Sequence, residues 1–155
     1  MFMILEKVDK NIINAKIIWT WRNDRITRNN SINTNLIQWN VFLADFNSTY
    51  FANTIPPFFI KDNDILIGYI GCVDVNCNKV KIGININPDY RGKGYGKKSI
   101  KLLIDFLTKE KEKYKIEIIQ AFIKKENIIS QKIFIKNDFE FIENKNDLLV
   151  FEKYI

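Results

Sequence analysis

Between residues 79 and 87 the chain alternates without a break. Val80, Ile82, Ile84 and Ile86 fall on one side, and Lys81, Gly83, Asn85 and Asn87 on the other. That period of two predicts a strand with one buried face, ended by Pro88. Residues 35–46 have a different period. Leu36, Trp39, Leu43 and Phe46 recur at three- and four-residue steps, which predicts an amphipathic helix starting near Asn33 or Thr34. The same spacing predicts a helix over 11–22 carrying Ile13, Ile17 and Ile18. It predicts another after residue 96 with Ile100, Leu103, Ile104 and Leu107 on one stripe. Residues 2–8, 57–61, 65–75, 115–123, 139–143 and 147–153 read as strands, and 127–136 as a helix. Asp62-Asn63-Asp64 marks a turn between antiparallel strands. The order is strand, two helices, antiparallel strands, then β-loop-α-β-α-β-β. It predicts an α/β fold: a mixed, mostly antiparallel sheet flanked by helices.

The chain has 155 residues and contains no repeat and no linker-like stretch, so one domain over 1–155 is expected. A formal net charge of +6 suits an anionic ligand as well as nucleic acid. The count that narrows the chemistry most is zero histidines. It removes Ser-His-Asp and Cys-His nucleophilic machinery and every metal site that needs imidazole, and no metal is expected. Cys72 and Cys77 form neither a CxxC pair nor a zinc set, and free thiols in a reducing compartment are expected. No apolar run approaches the roughly 18 residues of a membrane span. Residues 1–7 lack the basic and apolar regions of a signal peptide. A cytoplasmic location with no membrane partner is the expectation.

The candidate chemistry sits in Arg91-Gly92-Lys93-Gly94-Tyr95-Gly96, between the alternating strand and the long helix. Glycines at alternate positions let backbone N–H groups come close to an anion. The helix that begins here adds unsatisfied N–H groups and its positive dipole end. Arg91, Lys93, Lys97, Lys98 and Lys101 surround the loop with positive charge. These features describe a cradle for a diphosphate. The spacing fits neither a Walker A loop nor the G-x-G-x-x-G dinucleotide fingerprint, since the third glycine comes one residue early.

The stretch from Ile86 to Gly96 resembles the acetyl-CoA signature [RQ]-x-x-G-x-[GA] of the GNAT superfamily of N-acetyltransferases, with Arg91, Gly94 and Gly96 on the signature positions. Asn127-Ile128-Ile129-Ser130-Gln131-Lys132-Ile133-Phe134 resembles the second cofactor segment of that family, and Asp138-Phe139 stands where its members usually carry Gly-Phe. The resemblance covers roughly residues 57–153. It implies an acetyl-CoA-dependent N-acetyltransferase whose pyrophosphate loop is Arg91–Gly96 with Lys97, and whose Asn127 meets the pantetheine arm. It also implies that the strand before the loop splays from its neighbour and turns a freed N–H, at Ile84 to Ile86, toward the thioester carbonyl, an oxyanion-type contact.

With no histidine, the base candidates are carboxylates. Glu117 stands on the strand after the long helix, and Asp74 on the strand before the alternating one. Asn85 shares the polar face with Gly83 and is placed to hydrogen-bond a water. Many relatives place a tyrosine near the cofactor sulfur, and Phe134 occupies that position here, so no acid is named.

Trp21-Arg22-Asn23-Asp24, then Thr27-Arg28 and Ser31, resembles the opening of GNAT enzymes that acetylate nucleotide-linked amino sugars. That resemblance implies a small-molecule amine as acceptor and Trp21, Arg22 and Arg28 as substrate contacts, with core packing an equal reading for Trp21 and Trp39. The histidine and tryptophan usual in those relatives fall on Phe42 and Asp45 here. Three alternatives stand beside this reading: acetylation of a protein or ribosomal N-terminus, a non-catalytic acetyl-CoA binder, and a nucleic-acid module. The last is disfavoured because the lysines cluster round a glycine loop without interleaved aromatics. A homodimer is left open.

Overall fold

The computed structural model describes residues 2–155. Seven strands form one sheet in the order β1-β2-β3-β4-β5-β7-β6. They are β1 (Met3–Lys7), β2 (Phe58–Asp62), β3 (Ile65–Asn76), β4 (Lys79–Ile86), β5 (Ile118–Lys124), β6 (Glu140–Lys145) and β7 (Leu148–Tyr154). Every neighbouring pair is antiparallel except β4 and β5. Five helices accompany the sheet: α1 (Ile12–Arg22), α2 (Arg25–Asn30), α3 (Trp39–Ser48), α4 (Tyr95–Tyr114) and α5 (Ile128–Ile135). The mixed, mostly antiparallel architecture is the one the patterning predicts. No helix among the described residues is long and apolar enough to cross a membrane.

The alternation in β4 sorts the two sides of the sheet. Val80 and Ile82 are buried with Ile100, Leu103, Ile104 and Leu107 of α4, and with Ile119, Ala121 and Ile123 of β5 and Phe134 of α5. A second cluster packs α1 and α3 on the opposite face, through Ala15, Ile18, Trp21, Phe42 and Phe46 against Phe59. Lys81, Gly83 and Asn85 therefore face the side of α1 to α3.

Two elements depart from the patterning. The helix expected over 35–46 begins at Trp39. Asn23 explains the delay: its Oδ1 accepts from the Ile37 N–H at 2.9 Å and its Nδ2 donates to the Ile37 carbonyl at 2.9 Å. The indole of Trp19 donates to the same carbonyl at 2.7 Å. Ile37 is thus clamped in an extended segment, and Leu36 stays exposed. The second departure is α2, six residues with no buried member. No apolar period announces it, and it forms because the Asp24 carboxylate caps the Thr27 N–H at 3.0 Å.

Past the end of α5, Phe139 N–H donates to Phe134 O and Asp138 N–H to Ile135 O, with Asp138 at φ 62. This left-handed closing turn is the place where a glycine is usual, and aspartate tolerates it at some cost. Phe134 is 4% exposed and meets Phe139 edge-on at 4.9 Å between ring centroids. Its ring is core packing. Phe134→Ala should cost about 3–5 kcal/mol of stability, measured by chemical denaturation, and Phe134→Leu substantially less.

Candidate active site

The parallel pairing of β4 and β5 covers only Lys79↔Ile118, Val80↔Ile119 and Lys81↔Gln120. Beyond Lys81, β4 continues to Ile86 alongside β3, with Tyr69 opposite Asn85. The β5-facing backbone groups of Ile82 to Ile86 have left their partner strand. This is the splay the resemblance implies, and it spans the positions expected to offer a freed N–H. The side chains of Ile84 and Ile86 pack into the core under α4, so what these two residues bring to the gap is backbone.

The glycine loop closes the same end of β4. Gly92 and Gly94 have φ of 75° and 80°, and a Cβ added at either would meet nothing within 4 Å. Gly94 caps α4 with no side-chain hydrogen bond, and the first turn of α4 carries no acidic residue. The N–H groups there are open to an outside acceptor, with the helix dipole behind them. A diphosphate fits this cradle. Gly96 has another reason to be small: an added Cβ would lie 3.2 Å from Ile133 Cδ1, so Gly96 lets α4 pack against α5.

The basic side chains of the loop are not spread around an empty cradle. Arg91 pairs with Asp24 at 2.7 Å and donates to Thr27 Oγ1 at 2.5 Å, which ties the loop to the start of α2. Burial alone would raise the Asp24 pKa. The Thr27 N–H and the Arg91 guanidinium outweigh burial and hold it below its ordinary 3.8. The pair is intact at neutral pH and comes apart only as the pH falls below the ordinary carboxylate value of 3.8. Lys93 folds back, its ammonium 3.0 Å from Asp89 O and over the Tyr90 ring. Tyr95 points away from the cradle and donates to Asp62 at 3.0 Å, anchoring the loop to β2. Lys97 is exposed on the first turn of α4. Asn127, just past the end of β5, caps α5 by accepting from the Ser130 N–H at 3.2 Å.

The other predicted residues divide. Asn85 is half-buried within the parted stretch of β4 and accepts from Thr27 Oγ1 at 3.2 Å. The structure does not bring Glu117 to it. Glu117 lies level with Asn78, whose side chain donates to its carboxylate. That is seven residues down the strand from Asn85, about 23 Å. Asp74 pairs with Lys81, about 13 Å from Asn85 on the same measure, and is exposed. Trp21 is 8% exposed and packs edge-on against Phe59. It belongs to the second core. Arg28 donates to the carbonyls of Asn23 and Thr34, so its guanidinium shapes the α2 segment. Arg22 donates to Ser31 Oγ at 2.5 Å. Asp24 and Thr27 stand in the opening motif read from the sequence, but that reading gave neither a role. Their signal was an N-cap aspartate with a hydroxyl residue three positions on, at the head of a helix too short to show a period.

The family described as acetyltransferase (GNAT) domain matches the chain over residues 10–140. The chain belongs to the GNAT acetyltransferase family. As a GNAT protein it is an acetyl-CoA-dependent N-acetyltransferase, and the open glycine cradle, the bare start of α4 and the β4–β5 gap fit that cosubstrate. No curated protein sequence matches it. Solved structures show the same fold at low identity. A domain from Methanocaldococcus jannaschii superposes with a TM-score of 0.84 at 18% identity, over 99% of both chains. The spermidine N-acetyltransferase of Vibrio cholerae, solved with CoA and spermine, gives 0.80 at 17%, over 99% of this chain and 94% of the other. The N-acetyltransferase PseH of Campylobacter jejuni, solved with acetyl coenzyme A, gives 0.71 at 17%, over 99% of both.

Gly94→Val places a branched side chain at a left-handed φ and in the open space of the cradle. The expected result is a Kd for CoA raised by about tenfold or more in a folded protein, the loss of one good anion contact. Titration calorimetry with CoA measures it, and an unchanged Kd would remove the cradle assignment.

Proposed function

We propose that this GNAT enzyme acetylates a primary amine on a nucleotide-linked deoxysugar. The observation that carries this is an excess of guanidinium on the acceptor-side helices. Arg22 and Arg25 lie on α1 and α2, and among the described residues neither has a carboxylate within ion-pair distance. Arg25 is exposed. A diphosphate supplies the missing anion, and forked guanidinium groups suit its oxygens. Arg28, held by carbonyls, leaves that task to Arg22 and Arg25. The net charge of +6 favours an acceptor that brings its own phosphates.

Next to these helices an open cleft of about 420 Å³ is lined by Trp19, Thr20, Trp21, Asn23, Asp24, Asn87, Pro88 and Asp89. Aromatic edges among amide and carboxylate groups suit a sugar ring, which has an apolar face and a hydroxyl rim. The resemblance of Trp21-Arg22-Asn23-Asp24 to the amino-sugar branch supports the same acceptor. In this reading the cradle and Asn127 hold acetyl-CoA, and the Ile84–Ile86 backbone faces the thioester. Holding amine and thioester in line can supply on the order of 7–11 kcal/mol of the barrier reduction.

The test is a thiol-release assay with a panel of 3-amino and 4-amino deoxysugar nucleotides, a polyamine such as spermine, and N-terminal peptides. Turnover is expected with a sugar nucleotide, with KM raised about tenfold or more by Arg25→Ala through loss of a charge-assisted contact. Turnover of peptides alone would move the assignment to protein N-termini.

A further inference from the structure

Thr27 stands where the cofactor loop meets the acceptor-side helix, and its hydroxyl oxygen touches three groups at once. Arg91 Nη2 lies at 2.5 Å, Asn85 Oδ1 at 3.2 Å and Asp24 Oδ2 at 3.4 Å. A hydroxyl has one proton, and a guanidinium only donates. The oxygen therefore accepts from Arg91, and its proton goes to one of the two remaining oxygens. Asp24 Oδ2 already receives the Thr27 N–H and the Arg91 ion pair. Asn85 Oδ1 is nearer and has no other donor among the described residues. The order of donation is thus Arg91 to Thr27 to Asn85.

We infer that Thr27 is a positioning residue for acetyl transfer, fixing the Asn85 amide so that its Nδ2–H groups are left as donors on the parted stretch of β4. Nδ2 has no partner among the described residues, and Asn85 lies four positions past the last residue that β4 pairs with β5. An amide nitrogen so fixed has no basic lone pair to take a proton from an ammonium or a water. It gives a hydrogen bond. The acceptor it selects carries an oxygen lone pair beside the amine, as a ring hydroxyl of an amino sugar does and a simple alkylamine does not. This choice of acceptor oxygen deepens the amino-sugar reading and rests on it, whereas the Thr27–Asn85 geometry does not.

Two measurements test it. In ¹⁵N-labelled protein without any acceptor, the Asn85 side-chain pair is identified by its loss in Asn85→Asp. Thr27→Val, which keeps the shape and removes the hydroxyl, should displace that pair while exposed amides such as those of Asn40 and Asn47 stay put. Thr27→Ser should leave it in place. In the thiol-release assay, with whichever amine of the panel is turned over, Thr27→Val should lower kcat/KM for the amine about tenfold. The KM for acetyl-CoA should rise by much less than that, since Asp24 still holds Arg91, Thr27→Ser should restore the rate, and Thr27→Val added to Asn85→Ala should cost far less than it does alone. An Asn85 pair unmoved by Thr27→Val, or independent losses in the double variant, would overturn the inference. Turnover of peptides with the amide result intact would overturn the sugar reading alone.

Discussion

Two parallel strands that share hydrogen bonds at one end and lose them at the other leave a row of polar backbone groups exposed inside a sheet, and such groups are costly unless something holds the gap open and something fills it. In this protein the gap begins after Lys81. It is held from the core side by α4 and α5, whose apolar stripes pack against β4 and β5 and against each other at Gly96 and Ile133. It is held from the other side by α2, which reaches both strands: Thr27 bonds to Asn85 of β4, and Asn29 O accepts from Lys124 of β5 at 3.0 Å. At the fork itself the Lys81 ammonium lies 4.0 Å from the centre of the Phe122 ring, so a cation covers an aromatic ring on the α2-facing side of the strand that is leaving. A six-residue helix with no buried residue keeps its place through these polar ties and its aspartate cap.

The positive charge of the loop follows from the same constraint. The backbone N–H groups at the start of α4 and the two left-handed glycines can bind a diphosphate without any side chain. That leaves Arg91 available for a second task, which is to join the loop to Asp24 and Thr27. Lys93 and Tyr95 are likewise turned to the loop's own carbonyl and to β2. The signature residues thus divide into a backbone left open at the cradle and side chains that hold that backbone in position.

This division explains what the sequence could and could not disclose. The alternation of Val80 to Ile86 and the glycine spacing are local patterns with a direct physical meaning, and both the sheet face and the cradle follow from them. The opening Trp21-Arg22-Asn23-Asp24 has the right residues for a substrate wall, yet all four have a part in building it: Trp21 in the core, Arg22 on Ser31, Asn23 on Ile37, Asp24 on Arg91 and α2. No local pattern separates a residue that forms a wall from one that faces what the wall encloses, because the distinction depends on partners 14 and 67 positions away. The carboxylates failed for a related reason. Glu117, expected on the strand after the long helix, falls one residue before β5 (Ile118–Lys124), and β5 enters the sheet beside the far end of β4, a height along the cleft that no local pattern fixes.

The proton from the acceptor ammonium is then constrained from several directions. There is no imidazole in the chain, and Glu117 and Asp74 are too far down the strands to reach an amine near Asn85. Asp24 is tied to that region, and Arg91 and the Thr27 N–H hold its pKa down, which makes it a weak base at neutral pH; Asp89 is a second carboxylate lining the same cleft. Tyr69, across the ladder from Asn85, is pushed well above the ordinary tyrosine value by burial, and Tyr50 to about 12, so both stay protonated and take no proton. In the proposed reaction Asp89 and solvent in the open cleft are what this arrangement leaves to take that proton. An acceptor whose amine has a lowered pKa, as an amine does beside the electron-withdrawing oxygens of a sugar, needs less help from the protein than a simple alkylamine. That is the kind of acceptor proposed above, and Arg25, exposed and without a carboxylate within ion-pair distance among the described residues, suits its phosphates.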